Sequence, residues 1–437
     1  MSARPTLSVG DGRAVVDPTS YAEWDSLLDR FDRIRTDTPV AYVAAVEGIH
    51  RPFWLISRYD HVMQVSKDNV NYLNNPQTVV FSHDEGIAFA KAMSGGTEHM
   101  VASLVTMDAP DHMKYRKLTQ EWFMPKNLRS VEAEIRALAG RTVQRLIDAG
   151  SDDAGEAIVV DFVKQVSAPY PLHVVMQILG VPEEDEARML MLTQQMFGGQ
   201  DDDLNQSGMA NMTAEQITQL VAGAVKDFEA YFARLTAQKR ADPNGDVASI
   251  IANAEVDGAP LNDREMMGYY IILAAAGHDT TSASTAGAMM ALAHDPQQFA
   301  KVKADRTLLA GIVEEAIRWT SPVQHFMRTA ARDVEIGGQM IRAGDWLMIN
   351  YVAANHDPEQ FEDPRKFDAA RSPNRHIAFG AGAHQCLGLH LARLEMRILF
   401  ETLLDRIESV ELAGEAKRAK STFVGGLKTL PLRINAI

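Results

Sequence analysis

The chain has one cysteine, and its setting limits the possible folds more than any other feature. Cys386 lies in Phe379-Gly-Ala-Gly-Ala-His-Gln-Cys386-Leu-Gly388, and a helical apolar pattern from about Leu387 to Asp405 follows at once. A single cysteine rules out an intrachain disulfide. A thiolate that ligates a metal has to be deprotonated, reachable by a flat cofactor and electronically tuned. A helix N-terminus just after the cysteine favours the thiolate, and a bound iron displaces the proton outright. Gly380 and Gly382 permit unusual φ and close backbone approach. Their loop can aim N–H groups at the sulfur, and Gly388 lets the new helix pass close to a ring. His384 stands only two residues from Cys386 and the segment matches no protease signature, which argues against a cysteine hydrolase.

Three other groupings carry chemistry. Glu315-Ala-Ile-Arg318 puts an acid and a base at i, i+3 on one helix face, where they can pair. In Ala274-Ala-Ala-Gly277-His278-Asp279-Thr280-Thr281, small residues thin one side of an apolar helix and leave room for a ring or a diatomic ligand. Asp279 and Thr280 then fall mid-helix, where propensity disfavours them. Threonine hydroxyls that bond back to the preceding turn would bend the helix. His278 is read as structural. His112 and Arg116 are i, i+4 on one predicted helix and can reach one ligand together. With Arg328 and His384 they make a set suited to carboxylates.

Length would allow more than one domain, but no Pro/Gly/Ser linker and no internal repeat divides the 437 residues. One mainly α domain with a minor β portion, spanning 1–437, is expected. Short strands are predicted at Val40–Val46, Pro52–Arg58, Asp333–Ile336, Gln339–Ile341 and Trp346–Ile349, with Asp60 able to cap a following helix. Helical spacing covers Asn127–Ala149, Pro182–Met196 and Ala214–Arg240. Gly198–Ser207 reads as a loop, and Thr422–Ile434 as a hairpin around Gly425-Gly426. The net charge of −15 argues against nucleic acid or an anionic membrane as partner. The N-terminus has no apolar signal region. The most apolar run, Tyr269 to Gly277, falls short of the ~20 residues a membrane span needs. A cytoplasmic protein is expected.

The loop around Cys386 resembles the haem-binding loop of the cytochrome P-450 family, with Phe379, Gly380, Gly382, His384, Cys386 and Gly388 filling its defined positions. Glu315/Arg318 resemble the family's ExxR pair, and the Ala274–Thr281 stretch resembles its oxygen-binding helix with an acid–alcohol pair. The resemblance implies the family's triangular-prism fold and haem b, with Cys386 as iron ligand. It implies further haem contacts from Ala276, Gly277, Phe379, Gly380 and Gly388, and propionate partners in His112, Arg116, Arg328 and His384. Asp279 and Thr280 would be the catalytic pair that delivers protons. The implied reaction puts one atom of O2 into a C–H bond, with electrons from a ferredoxin and its NAD(P)H-dependent ferredoxin reductase. A local basic patch at Lys114, Arg116, Lys117, Lys126 and Arg129 would receive that ferredoxin. Tyr170-Pro-Leu-His-Val-Val-Met, Phe326-Met-Arg-Thr-Ala and Phe423-Val-Gly-Gly426 are similar to the bacterial terpineol-hydroxylating group. They imply a small apolar substrate, a monoterpene or alkyl-aromatic. Its pocket would be lined by Ala275, Gln324, Phe326 and Val424, with Ala276, Thr280 and the loop Val79–Glu98. A peroxide-driven enzyme of this fold is disfavoured by Asp279-Thr280. A haem-based sensor or carrier is separated by catalytic turnover.

Overall fold

A computed structural model describes residues 4–46, 50–76, 78–79, 91–92, 96, 99, 102–149, 158–197, 201 and 214–437. Helices dominate, and the sheets are a minor portion. The five-stranded sheet runs in the order Val40–Val43, Phe53–Ile56, Trp346–Asn350, His325–Ala330, Tyr72–Leu73. Its middle is apolar on both faces. Phe53, Trp54, Leu55 and Ile56 are all buried, and Phe53–Ile56 lies parallel to Trp346–Asn350. A parallel pair covered on both faces needs such a continuous apolar run. The sheet ties the N-terminal third to the segment just before the Cys386 loop. The strand His325–Ala330, which was not predicted, carries Phe326 and Arg328 and pairs antiparallel with Trp346–Asn350.

Strand and helix bounds mostly shorten relative to the sequence reading. Val40–Val46 ends at Val43, and Pro52–Arg58 narrows to Phe53–Ile56. Asp60 is not a cap. It sits in the first turn of Tyr59–Lys67, and the Tyr59 N–H is taken by the distant Asp357 carboxylate at 3.0 Å. Asn127–Ala149 divides into Pro125–Leu128 and Glu132–Asp148. The tail does not fold back on itself alone. Leu427–Thr429 pairs with Lys417–Arg418, while Pro431–Ala436 joins Ile407–Leu412 and Ile158–Asp161 in a separate sheet. Of the predicted loop Gly198–Ser207, all but Asp201 lies outside the described residues, as does most of Val79–Glu98.

The helical core is one apolar cluster. Into it pack Glu132–Asp148, Asp279–His294, Leu309–Thr320 and Leu389–Arg406. The helix after Cys386 therefore lies against both the ExxR helix and the Asp279 helix. No helix among the described residues is long and apolar enough to cross a membrane.

Candidate functional site

The Cys386 loop is built by two left-handed glycines. Gly380 has φ +70° and Gly382 φ +75°, a region that strains residues with a Cβ. A Cβ on Gly382 would also stand 2.6 Å from the Ser66 carbonyl oxygen. The turn is pinned by Gly380 N–H to Ile377 O at 2.8 Å and Cys386 N–H to Phe379 O at 2.8 Å. The helix Leu389–Arg406 starts just beyond, at Gly388. A Cβ at Gly388 would meet no protein atom within 4 Å. Cys386 lies deep in the fold, yet its surface is open. Burial pushes its thiol pKa up, and the Gly388 N–H with the charges of Arg116 and Arg393 offsets this only in part. The helix terminus alone does not make a thiolate here, so deprotonation falls to a bound metal.

The Ala274–Thr281 stretch departs from the predicted continuous helix. Asp263–Ala276 ends at Gly277, and Asp279–His294 starts after His278. The cause is hydroxyl competition for carbonyls. Thr280 Oγ1 donates to Ala276 O at 3.0 Å and Thr281 Oγ1 to Gly277 O at 3.2 Å, which loosens the helical ladder. Asp279 is thus not mid-helix. It occupies a first helical turn, where the helix dipole favours a carboxylate. Ala276 is exposed, and Ala275 and Thr280 are half-buried. At Gly277 a Cβ would lie 2.4 Å from Val175 Cγ2, so packing on Val175 is one reason this position is a glycine. His278 is buried and touches Asp279, with Nε2 3.1 Å from Oδ1.

The four proposed carboxylate partners come together from three elements. The His112 and His384 rings stack with centroids 3.8 Å apart. Burial lowers both pKa values, to about 4 for His112, helped by the Arg116 charge, and to about 3 for His384. The charges of His112, Arg328 and Arg116 also act on His384, so all four lie within electrostatic reach of one another. Arg328 is buried, Arg116 is half-buried, and neither has a carboxylate within 4.0 Å among the described residues. His112 Nδ1 is buried without a hydrogen-bond partner. Two desolvated guanidiniums and an orphaned imidazole nitrogen are costly unless an anion completes them. Beside an open thiol, they fit the carboxylate edge of a haem. Asn74, not read from the sequence, braces this corner. Its Nδ2 lies 2.7 Å from His384 Nε2 and donates to Asp108 at 3.2 Å.

Under the loop, Glu315 and Arg318 are fully buried and pair at 2.7 Å. Glu314 accepts from Arg393 at 2.5 and 2.8 Å, and its Oε2 lies 3.1 Å from His376 Nε2. Arg393 stacks over Phe379, 4.7 Å from the ring centre, and so steadies the first residue of the loop. Burial raises the Glu314 pKa, but Arg393 and His376 outweigh that and hold it at about 2.

Glu395 was also missed. It lies on the apolar stripe of Leu389–Arg406 with Leu391 and Leu399, and a carboxyl on such a stripe was the available signal. Its Oε1 lies 3.0 Å from Thr281 Oγ1, and Oε2 has no hydrogen-bond partner among the described residues. Burial raises its pKa well above the usual range, against a small opposing effect of Thr281. Burial thus favours its neutral form in the folded state, and unfolding favours ionisation. Its cost to stability is absent below the unfolded pKa of about 4.3 and grows as pH rises above it. Glu395→Gln is therefore expected to raise the thermal midpoint at pH 8 and leave it unchanged at pH 4. Equal midpoint shifts at both pH values would contradict the neutral acid.

The expected pocket residues divide. Phe326 and Val424 are half-buried, and Phe326 meets Phe423 edge-on at 5.4 Å. Gln324 is buried. Its Nε2 donates to Ser421 O at 2.7 Å and its backbone N–H to Phe423 O at 2.8 Å. It fastens the 421–426 segment to the sheet. The expected basic patch is smaller than predicted. Lys117, Lys126 and Arg129 are exposed, but Lys114 is paired with Asp257 at 2.7 Å and Arg116 points inward.

The family model for Cytochrome P450 matches residues 45–434. The chain is 41% identical to Cytochrome P450-terp of a Pseudomonas species, over 99% of both proteins. It is 30% identical to a steroid C26-monooxygenase of Mycolicibacterium smegmatis, over 92% of this chain and 89% of the relative. Its structure superposes on the crystal structure of CYP108D1 from Novosphingobium aromaticivorans with a TM-score of 0.90 and 61% identity, covering 99% of this chain and all of that one. The fold agrees with the comparisons, and the chain belongs to the cytochrome P450 family of haem-thiolate monooxygenases.

Proposed function

We propose that residues 1–437 form one unit that hydroxylates a small apolar, terpenoid or alkyl-aromatic substrate in the cytoplasm. Haem b is held by Cys386, and electrons come from a ferredoxin served by an NAD(P)H-dependent reductase. The observation that carries the cofactor assignment is the pair of guanidiniums, Arg116 and Arg328, that meet no carboxylate among the described residues and stand with the neutral rings of His112 and His384 beside an open thiol. Those four residues would receive the propionates, and Phe379, Gly380 and Gly388 would border the sulfur side. When bound, a thiolate-ligated haem supplies the O2-activating iron. The protein's own share is binding and proton handling. Ala275, Ala276, Phe326 and Val424 offer apolar surface that excludes water and retains a compact hydrocarbon. The likeness to Cytochrome P450-terp supports the terpenoid class. Thr280 spends its hydroxyl hydrogen on Ala276 O, so its oxygen is free to accept and hold a water. Asp279, with a side chain 53% exposed, can exchange protons with solvent and pass them on.

The purified protein should show the strongly red-shifted ferrous–CO band of a thiolate ligand, and Cys386→His should abolish it. An unshifted CO band in folded wild type would overturn the assignment. Lys117, Lys126 and Arg129 would receive an acidic ferredoxin. Lys126→Glu with Arg129→Glu should raise the KM for ferredoxin about tenfold at low salt, with less effect at high salt. A KM that does not respond at low salt would place docking elsewhere.

A further inference from the structure

His278, read from the sequence as structural, is so placed that its chemistry bears on Asp279. Its Nδ1 lies 3.0 Å from Ala274 O. A carbonyl only accepts, so Nδ1 carries a hydrogen. Nε2 then faces Asp279 Oδ1 at 3.1 Å, with the imidazole side chain 2% exposed. A neutral ring of this tautomer would set the buried Nε2 lone pair beside a carboxylate oxygen, an unfavourable contact. A proton therefore lies between the two groups, on Nε2 or on the carboxyl. The ring Nε2 is not aimed squarely at the oxygen, so the two groups form a close polar contact and not a fully aligned hydrogen bond. A modest turn of the half-exposed Asp279 side chain would align it.

We propose that His278 and Asp279 together hold one releasable proton next to Thr280, with His278 as the positioning residue that loads and orients Asp279. The inference rests on the reading of Asp279 and Thr280 as the proton-delivery pair. The balance is simple. The loaded pair is imidazolium with carboxylate, or imidazole with carboxylic acid. Giving up one proton leaves neutral imidazole with Nδ1–H still on Ala274 O, and a free carboxylate. That product has no hydrogen between Nε2 and Oδ1, so the contact becomes repulsive and Asp279 is released to turn toward solvent and reload. Release of the proton and movement of the side chain are thus one event.

The surroundings leave His278 no other partner. Burial lowers its pKa, but Asp279 and the Ala274 carbonyl outweigh this and raise it on balance. On the neighbouring elements, Glu395 meets Thr281 through Oε1, His173 meets Glu186, and Ser167 meets Ser282. Lys164 is exposed, within reach of Asp161. Val175 fills the space against Gly277. Asp279 is the one charged group acting on the ring.

The test uses the diamagnetic ferrous–CO holoenzyme with 15N-labelled histidine. At neutral pH the His278 signal, identified as the one perturbed by Asp279→Asn, should show hydrogens on both nitrogens or one shared across Nε2. In Asp279→Asn only Nδ1 should keep one. A wild-type His278 protonated on Nδ1 alone, with no shared hydrogen, or a state unchanged in Asp279→Asn, would overturn the proposal. His278→Gln keeps a donor for Asp279 but has no proton to release. Its kcat should fall about tenfold with a larger solvent isotope effect, while substrate binding followed by the Soret shift stays as in wild type. Wild-type kcat and isotope effect in His278→Gln would also overturn it. Coupling in Thr280→Ala separates the two levels. If that variant is fully coupled, the underlying reading fails whatever His278 does. If it is uncoupled and His278 carries a single hydrogen, only the present inference fails.

Discussion

Glu315→Ala is expected to yield chains that fail to retain haem. Glu315 is the hub of a sealed network. Its two oxygens accept from Arg318 Nε and Nη2 at 2.7 Å, Arg371 Nε at 3.0 and 3.1 Å, Asn374 Nδ2 at 3.0 Å and the Asp368 N–H at 3.1 Å. Arg318 in turn donates to the carbonyls of Asn355, Pro364 and Lys366 at 2.8, 2.9 and 3.3 Å. The pair thereby fixes the chain from 355 to 374, which leads directly into the Cys386 loop. Removing the carboxylate strands two guanidiniums, Arg318 with no exposure and Arg371 with 9%. Breaking a buried pair costs about 3–5 kcal/mol, a large share of the 5–15 kcal/mol that typically holds a domain folded. The measurement is the ratio of haem absorbance to protein after purification, set against Glu359→Ala as an exposed control. Recovery of wild-type holoprotein from Glu315→Ala would show that the network does not support the loop.

The same network marks where the sequence was legible and where it was not. Glu315 and Arg318 are three residues apart on one helix, so their pairing could be read directly. Arg371, Asn374 and the carbonyls they organise come from a segment with neither helical nor strand periodicity, and nothing local announces a long-range partner. The Cys386 loop was legible because glycine at left-handed φ is a backbone requirement written in residue identity. Asn74 and Glu395 were not, since each acquires its partner across the fold. The helix break at Gly277-His278 shows the limit in another form. The Thr280 and Thr281 hydroxyls signalled a bend, but whether the ladder bends or parts depends on packing such as Val175 against Gly277. The basic patch loses Lys114 for a related reason. Charge clustering along the chain cannot tell an exposed lysine such as Lys117 from Lys114, which Asp257 claims from a distant turn.

Thr280→Ala is expected to separate electron consumption from product formation. In the wild type the Thr280 hydroxyl donates to Ala276 O at 3.0 Å, which leaves its oxygen able to accept. Alanine removes that acceptor without loss of buried charge or large volume, so the fold and substrate binding should survive. The helix break should also survive, since Thr281 still donates to Gly277 O. On the proposed reading, what is lost is a group able to hold a water for proton delivery. Reducing equivalents should then flow at near wild-type rates, with most of them recovered as hydrogen peroxide and product per NAD(P)H falling about tenfold or more. Asp279→Asn should behave differently. An amide keeps the shape but cannot cycle a proton, so turnover slows by a comparable factor, while the dipole-stabilised charge at the helix start is also lost. Substrate affinity, read from the Soret shift, should change little in both variants, because neither side chain is part of the apolar surface offered by Phe326 and Val424. The decisive data are NAD(P)H consumed, peroxide released and product formed in one reaction with a matched redox chain. Full coupling in Thr280→Ala together with wild-type turnover in Asp279→Asn would remove both residues from proton delivery and leave the break in the helix as a packing feature alone.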